Sequence, residues 1–208
     1  MSSTVSIPEN RVYLTSVSWE QYLAVLGDHE HDGRIAYNNG VLEIMTAGSE
    51  HESIKKLIAR LLEHFTFVHD IDIHPLGNFT MKREELQKGI EADDCYYIQS
   101  IGRVRDFYNI SLPEDPPPDL AIEIDVTNPT IDKLDIYAAL GVAEVWRYRD
   151  GKVEVLLRED ESGYAVSPDS RCLPSFPLAA IERALEQSRQ GTRQNEILRA
   201  FAEQISND

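Results

Sequence analysis

Residues 119–126 constrain the fold of this chain more than any other stretch. Large apolar residues recur there at every second position, and three of the four positions that alternate with them are acidic. Leu120, Ile122, Ile124 and Val126 share one face, and Asp119, Ala121, Glu123 and Asp125 share the other. A period of two belongs to a β-strand, whose successive side chains point to opposite faces. Pro116-Pro117-Pro118 stands before the run and Asn128-Pro129 after it, so the strand has sharp ends. An apolar sheet face must be covered by a second layer. The acidic face leaves two readings open: carboxylates turned to water, or carboxylates collected for chemistry.

The surroundings of that strand predict a mixed α/β (α+β) domain. Asn128 as N-cap and Pro129 at the first helical position open a helix that runs through Lys133 and Tyr137 and stops at Gly141. Asp150-Gly151 and Asn39-Gly40 each lie between apolar runs, the pattern of a β-hairpin whose turn needs positive φ. Ser49-Glu50-His51-Glu52 matches a capping box. Behind it, Ile54, Leu57, Ile58, Leu61, Leu62 and Phe65 recur at helical spacing. A short helix is expected over residues 18–27, with Ser18 as cap, Gln21 at the capping-box position and Gly27 as stop. Residues 71–81 and 90–98 read as strands, residues 99–118 as an irregular excursion, and residues 1–10 as loosely ordered. From about Pro177 the tail is helical, with Ile197, Leu198, Phe201 and Ile205 as its stripe. Residues 1–17 then form an N-terminal extension, 18–176 the domain, and 177–208 a helical tail. Few helices between runs of strands speak against a Rossmann or barrel layout.

Composition narrows the setting. The chain of 208 residues is long enough to bury a core, and its 42% hydrophobic and 27% charged residues are ordinary for a globular protein. No run approaches a membrane span, so no membrane partner is expected, and the N-terminus lacks a signal-peptide layout. Cys95 and Cys172 are too few for a disulfide framework, which makes a reducing cytoplasm the default location. The net charge of −16 disfavours nucleic acid as a partner, because phosphate affinity comes from Lys and Arg. Three local basic segments run the other way: Lys55, Lys56 and Arg60; Lys82 and Arg83; Arg103 and Arg105.

The acidic strand gains meaning from its company. Glu91 and Asp93 alternate with Ala92 and so share a face of a second strand, and Lys133 lies on the helix after the first. Carboxylates on adjacent strands hold Mg2+, which activates water and offsets charge in a phosphoryl displacement. A nearby lysine orients the water and adds positive charge. Other clusters have plainer readings. Glu50 and Glu52 suit the first turn of a helix, and His51 alone reads as structural. His29-Glu30-His31-Asp32 could bind a transition metal but lies in a polar loop. Glu144 reads as a strand residue that orients Lys133, and Tyr96, Tyr97, Trp146, Tyr148 and Cys95 as core.

The run Pro118-Asp119-Leu120-Ala121-Ile122-Glu123-Ile124-Asp125-Val126-Thr127, then Lys133, Tyr137 and Gly141-Val142-Ala143-Glu144-Val145-Trp146, resembles the Uma-two family of bacterial proteins. That family is placed in the restriction-endonuclease-like PD-(D/E)XK nuclease superfamily. The likeness extends to Asn39-Gly40-Val41-Leu42-Glu43-Ile44-Met45, to Ser49-Glu50-His51 and to residues 91–98. It implies a restriction-endonuclease-like core and a metal-dependent endonuclease that hydrolyses DNA phosphodiesters. Asp93 becomes the motif aspartate and Glu123 the motif acid of the next strand. Asp125 stands where the superfamily lysine is usual and is a third candidate ligand, while Lys133 matches a relocated basic residue. Glu50 and His51 match positions near the site. Mg2+, with Mn2+ as an alternative, would be held by Asp93, Glu123 and Asp125. Ala92 replaces the proline usual before the aspartate. Two further readings remain: a degenerate nuclease fold that binds or regulates without hydrolysis, and a structural homodimer with the tail helix across its partner.

Overall fold

Turn residues and periodicity place most of the elements. The computed structural model describes residues 9–27, 33–127, 131–160 and 163–206. Strand β1 (Asn10–Leu14) is followed by helix α1 (Trp19–Gly27), β2 (Arg34–Asn38), β3 (Val41–Thr46) and α2 (Ser49–Val68). Then come β4 (His74–Pro75), β5 (Thr80–Arg83), β6 (Lys88–Glu91), β7 (Asp94–Tyr97) and β8 (Leu120–Asp125). The chain continues through α3 (Lys133–Leu140), β9 (Glu144–Arg149), β10 (Lys152–Asp160), β11 (Gly163–Ser167), α4 (Ala179–Arg189) and α5 (Gln194–Ile205). Both expected hairpins form, with Asn39 and Gly40 at φ 47° and 88°, and Asp150 and Gly151 at 51° and 83°. Ser18 and Gln21 cap α1 reciprocally: the Ser18 N–H donates to Gln21 at 2.8 Å, and the Gln21 N–H to the Ser18 hydroxyl at 3.3 Å.

Two sheets result. Sheet A has the order β1-β3-β2-β6-β5 and sheet B the order β11-β10-β9-β8-β7-β4. Every pairing is antiparallel except β8 with β9, which run parallel and are joined through α3. Strand β8 lies inside sheet B with both faces covered. Leu120, Ile122 and Ile124 pack in one core with Ile54, Leu57, Ile58, Leu61, Leu62 and Phe65 of α2 and with Ile181, Ile197, Phe201 and Ile205 of α4 and α5. Each of these side chains contributes about 1.5–3 kcal/mol of transfer free energy. The tail stripe is therefore used within the chain, where α5 packs on α2. Behind β8, Ala121 joins Ile136, Tyr137 and Leu140 of α3 in a second core. Among the described residues no helix is long and apolar enough to cross a membrane.

Several expectations need correction. Residues 90–98 are two strands in different sheets, β6 and β7, broken at Ala92-Asp93; residues 71–81 likewise split into β4 and β5. A continuous apolar run cannot show where a chain changes sheets. Residues 9–14 are ordered, with β1 on the edge of sheet A beside β3. The expected capping box at α2 is not made: Ser49 is already helical, Gly48 holds the N-cap position without a side-chain bond, and the Ser53 hydroxyl donates to the Ser49 carbonyl. Helix α3 starts at Lys133, with Asp132 as its N-cap accepting the Asp135 N–H at 3.2 Å. It ends as expected at Gly141, at φ 90°. Asn128-Pro129 and the His29-Glu30-His31-Asp32 cluster lie outside the described residues.

Candidate active site at the junction of the two sheets

The break between β6 and β7 places Asp93. Glu91 stays behind in sheet A, where its carboxylate accepts the Ile35 N–H at 2.8 Å and the Thr80 hydroxyl at 3.3 Å. Three residues later Asp94 enters sheet B beside Ile122 of β8. Asp93 sits between them, 1% exposed, and the expected pairing of Glu91 with Asp93 on one face is replaced by opposite assignments. Asp93 Oδ2 accepts the Ile124 N–H at 2.9 Å, and Oδ1 lies 2.9 Å from His51 Nε2. Arg34 Nε stands 3.9 Å from the same Oδ1.

Glu123 extends from the face of β8 that carries no apolar core partner of α2. Its Oε2 accepts from Lys133 Nζ at 2.6 Å and its Oε1 from the Tyr137 hydroxyl. Lys133 and Tyr137 are four residues apart, one above the other on α3, so one helix face serves both oxygens of one carboxylate. Asp125 is buried as well and accepts from Arg149 Nη2 at 2.8 Å. A pocket of about 290 Å3 opens here, bounded by Glu123, Asp125, Asp132, Lys133, Arg147 and Arg149 among others.

Burial and charge drive the acids apart. Burial alone would raise the Asp93 carboxyl. The His51 hydrogen bond, the Lys133 and His51 charges and the Ile124 N–H outweigh it and hold Asp93 at about 2. Glu123 moves the other way, to about 7: burial is the main cause, Lys133 opposes it, and the charges of Asp93 and Asp125 add to it. Lys133 is held firmly protonated, since the three acids more than offset its own burial.

A charged chain extends behind Asp93. His51 Nδ1 lies 3.3 Å from Glu9, whose side chain is 2% exposed. Burial lowers the affinity of His51 for a proton, but the two flanking carboxylates raise it to about 9, so the imidazole is a cation at neutral pH. Glu9 also accepts from Arg11 and from the Thr127 hydroxyl, and Arg11 Nη1 donates to Glu43 at 2.7 Å. Despite its burial Glu9 is held at about 2, by His51, Thr127 and Arg11.

The structure thus brings Asp93, Glu123, Lys133 and His51 together, with Asp125 at the pocket. Glu50 is exposed on the first turn of α2. Glu144 does not orient Lys133: it is fully buried and holds Trp146 Nε1 at 2.6 Å, the Ser170 hydroxyl, and the backbone N–H groups of Arg171 and Cys172. Glu9, Arg11 and Tyr137 were not identified as site residues from sequence, nor were Arg147 and Arg149. The spacing of the two arginines on a strand, two residues apart and after an acidic strand, was a usable signal; Glu9 offered none.

Asp93, Glu123 and Asp125 offer the hard oxygen donors that Mg2+ takes, and Asp125 Oδ1 is buried without a hydrogen-bond partner from the protein. The donor chemistry fits that ion. Among the described residues, though, no three His, Cys, Asp or Glu side chains are gathered closely enough to hold a metal, and Lys133 supplies the positive charge between the acids.

Comparisons with known proteins bear on the family and the fold. The sequence profile of the Uma2 family, described as "Putative restriction endonuclease", matches residues 19–204. Among solved structures, the fold is similar to that of "a putative nuclease belonging to DUF820" from Anabaena variabilis, with a TM-score of 0.50 at 15% identity. That match covers 77% of this chain and 90% of the other. A comparison with curated proteins gives no match.

Proposed function

The chain belongs to the Uma2 family of restriction-endonuclease-like proteins, and from that membership we propose that it is a metal-dependent endonuclease hydrolysing DNA phosphodiesters. The observation that carries this reading is the convergence of Asp93 from the sheet junction, Glu123 from β8 and Lys133 from α3 in one buried cluster. Asp93, Glu123 and Asp125 supply the oxygen donors that Mg2+ or Mn2+ takes, and holding the ion would require them to draw together and Lys133 to yield its place on Glu123. A bound ion would supply Lewis acidity and lower the pKa of a water.

The chain's own residues supply the rest. Lys133, fixed by Glu123 at 2.6 Å, presents a permanent charge where negative charge grows on the phosphoryl oxygens. Tyr137 fixes the other oxygen of Glu123, and the Ile124 N–H with His51 fixes Asp93, so neither acid is free to turn. In hydrolysis a water oxygen bonds to phosphorus while a bond from phosphorus to a sugar oxygen breaks. The attacking water loses a proton and the leaving oxygen gains one.

One observation favours the second reading, a nuclease fold that binds without cleaving: both oxygens of Asp93 and both of Glu123 already have protein partners. Calorimetric titration with Mg2+ and Mn2+, followed by nicking of supercoiled plasmid at low salt, separates the two. Wild type is expected to bind and nick, and Asp93→Asn/Glu123→Gln to do neither. A wild type that binds no metal and nicks nothing overturns the catalytic reading.

A further inference from the structure

The pocket beside Glu123 is bounded by cations as well as acids. Strands β8 and β9 run in a parallel register that sets Glu123 opposite Arg147 and Asp125 opposite Arg149. Paired residues of neighbouring strands emerge on the same face about 4.8 Å apart, which brings the Arg149 guanidinium onto Asp125 and puts Arg147 in the same pocket lining as Glu123. Three acids (Glu123, Asp125, Asp132) and three cations (Lys133, Arg147, Arg149) line the pocket. In a chain of net charge −16 this spot is locally balanced, and a polyanion meets less repulsion there than over the molecule as a whole.

The two arginines are not fully used by the protein. Arg149 gives one N–H to Asp125 Oδ2, while its Nε and Asp125 Oδ1 are both buried without partners. Guanidinium–carboxylate pairs are frequently bidentate, and this one leaves its second contact unmade. Arg147 directs Nε and Nη2 to a single oxygen of Glu154, at 3.1 and 2.7 Å. Glu154 is 39% exposed, and an ion pair so open to water is weak enough to exchange. Of the basic segments singled out from sequence, four members are engaged elsewhere: Lys55 with Glu52, Arg60 with Gln194 and Asn195, Arg83 with Glu85, and Arg105 with Asp115.

We propose that Arg147 and Arg149 form the phosphate clamp of the site, holding a nucleic-acid phosphate beside the cluster of Asp93, Glu123 and Lys133. A guanidinium fork matches two phosphate oxygens at once, which an ammonium cannot do. Engaging the phosphate draws Arg149 from Asp125, so binding substrate and freeing that carboxylate are one event. The inference rests on the nuclease reading and assigns its substrate contacts.

The test measures binding, not cleavage. Fluorescence anisotropy of labelled single-stranded and duplex oligonucleotides in EDTA, over a salt series, gives the slope of log affinity against log salt. Arg147→Gln and Arg149→Gln are each expected to flatten that slope by about 1, and the double variant to weaken low-salt binding by about tenfold or more. Arg149→Lys is expected to keep the slope and lose part of the affinity. Arg183→Gln, an exposed position on α4, is expected to change neither. Arg149→Gln leaves Asp125 without its cation; should it fail to fold, Arg147→Gln carries the test. Wild-type binding with unchanged slopes in the arginine variants, or equal flattening by Arg183→Gln, overturns the clamp and leaves the nuclease reading standing. A wild type that binds neither oligonucleotide at low salt overturns both.

Discussion

Strand β8 sets two kinds of buried surface back to back. Leu120, Ile122 and Ile124 face α2, α4 and α5, whereas Glu123 faces Lys133 and Tyr137 of α3. On the apolar side stability scales with area removed from water and has no direction, so shape and volume are what matter. On the acidic side every contact is directional, and each carboxylate left without its partner carries a desolvation cost. The apolar face anchors the strand firmly enough for the other face to hold Glu123 in a state it resists, with its carboxyl raised to about 7. The contrast explains why charge can be buried here: one side of the strand offsets what the other costs.

Removing the cation should break the acidic side hardest. Lys133→Met leaves Glu123 and Asp93 buried without their shared ammonium and is expected to cost about 3–5 kcal/mol in urea unfolding at neutral pH. Because Lys133 lowers the Glu123 carboxyl, the variant protonates Glu123 from above about 7, so the loss should be larger at alkaline pH and shrink as pH falls to about 7. A loss that stays constant across that range would mean that Lys133 acts through packing and not through charge.

The apolar side should respond to volume instead. Ile122→Ala is expected to cost about 3 kcal/mol and Ile122→Leu less than about 1.5 kcal/mol, with no dependence on pH. Should the leucine variant unfold as readily as the alanine one, the apolar face would be as exacting as the charged one, and the contrast would fail.

His51 sharpens the comparison with a smaller effect. Its folded value of about 9 lies above the ordinary 6.5, so its interactions stabilise fully below about 6.5 and fade as pH rises through about 9. The advantage of wild type over His51→Asn, measured by denaturation in EDTA, should reach on the order of 2 kcal/mol near pH 6 and largely vanish near pH 10. A gap that widens with pH would show that the imidazole is held neutral.

Local features were legible because local chemistry sets them. The Asn39-Gly40 and Asp150-Gly151 turns follow from residues that tolerate positive φ, and the α2 stripe follows from a period that only a helix satisfies. Glu123, Asp125 and Lys133 stood out because acids alternate on a strand with an amine close by in sequence. Asp93 stood out by an alternation with Glu91 that the break between the sheets undoes, and by the family resemblance. The exposure of those acids was not legible, since an acidic strand face looks the same whether it meets water or α3. Glu9 was invisible for a different reason. It lies 42 residues from His51 and 118 from Thr127, and no periodicity links positions so far apart.

The sequence by itself determined the turns, the amphipathic helix, the two-faced strand and the kinds of residue available for the site. Tertiary structure alone decided that residues 90–98 would cross from one sheet to the other, and hence that Asp93 would sit between them. It also decided that Glu9 and His51 would stand behind that aspartate and Arg149 beside Asp125. The reason is physical. Periodicity and φ preference act over a few neighbouring residues, whereas burial and charge pairing depend on which surfaces meet after the chain has closed on itself.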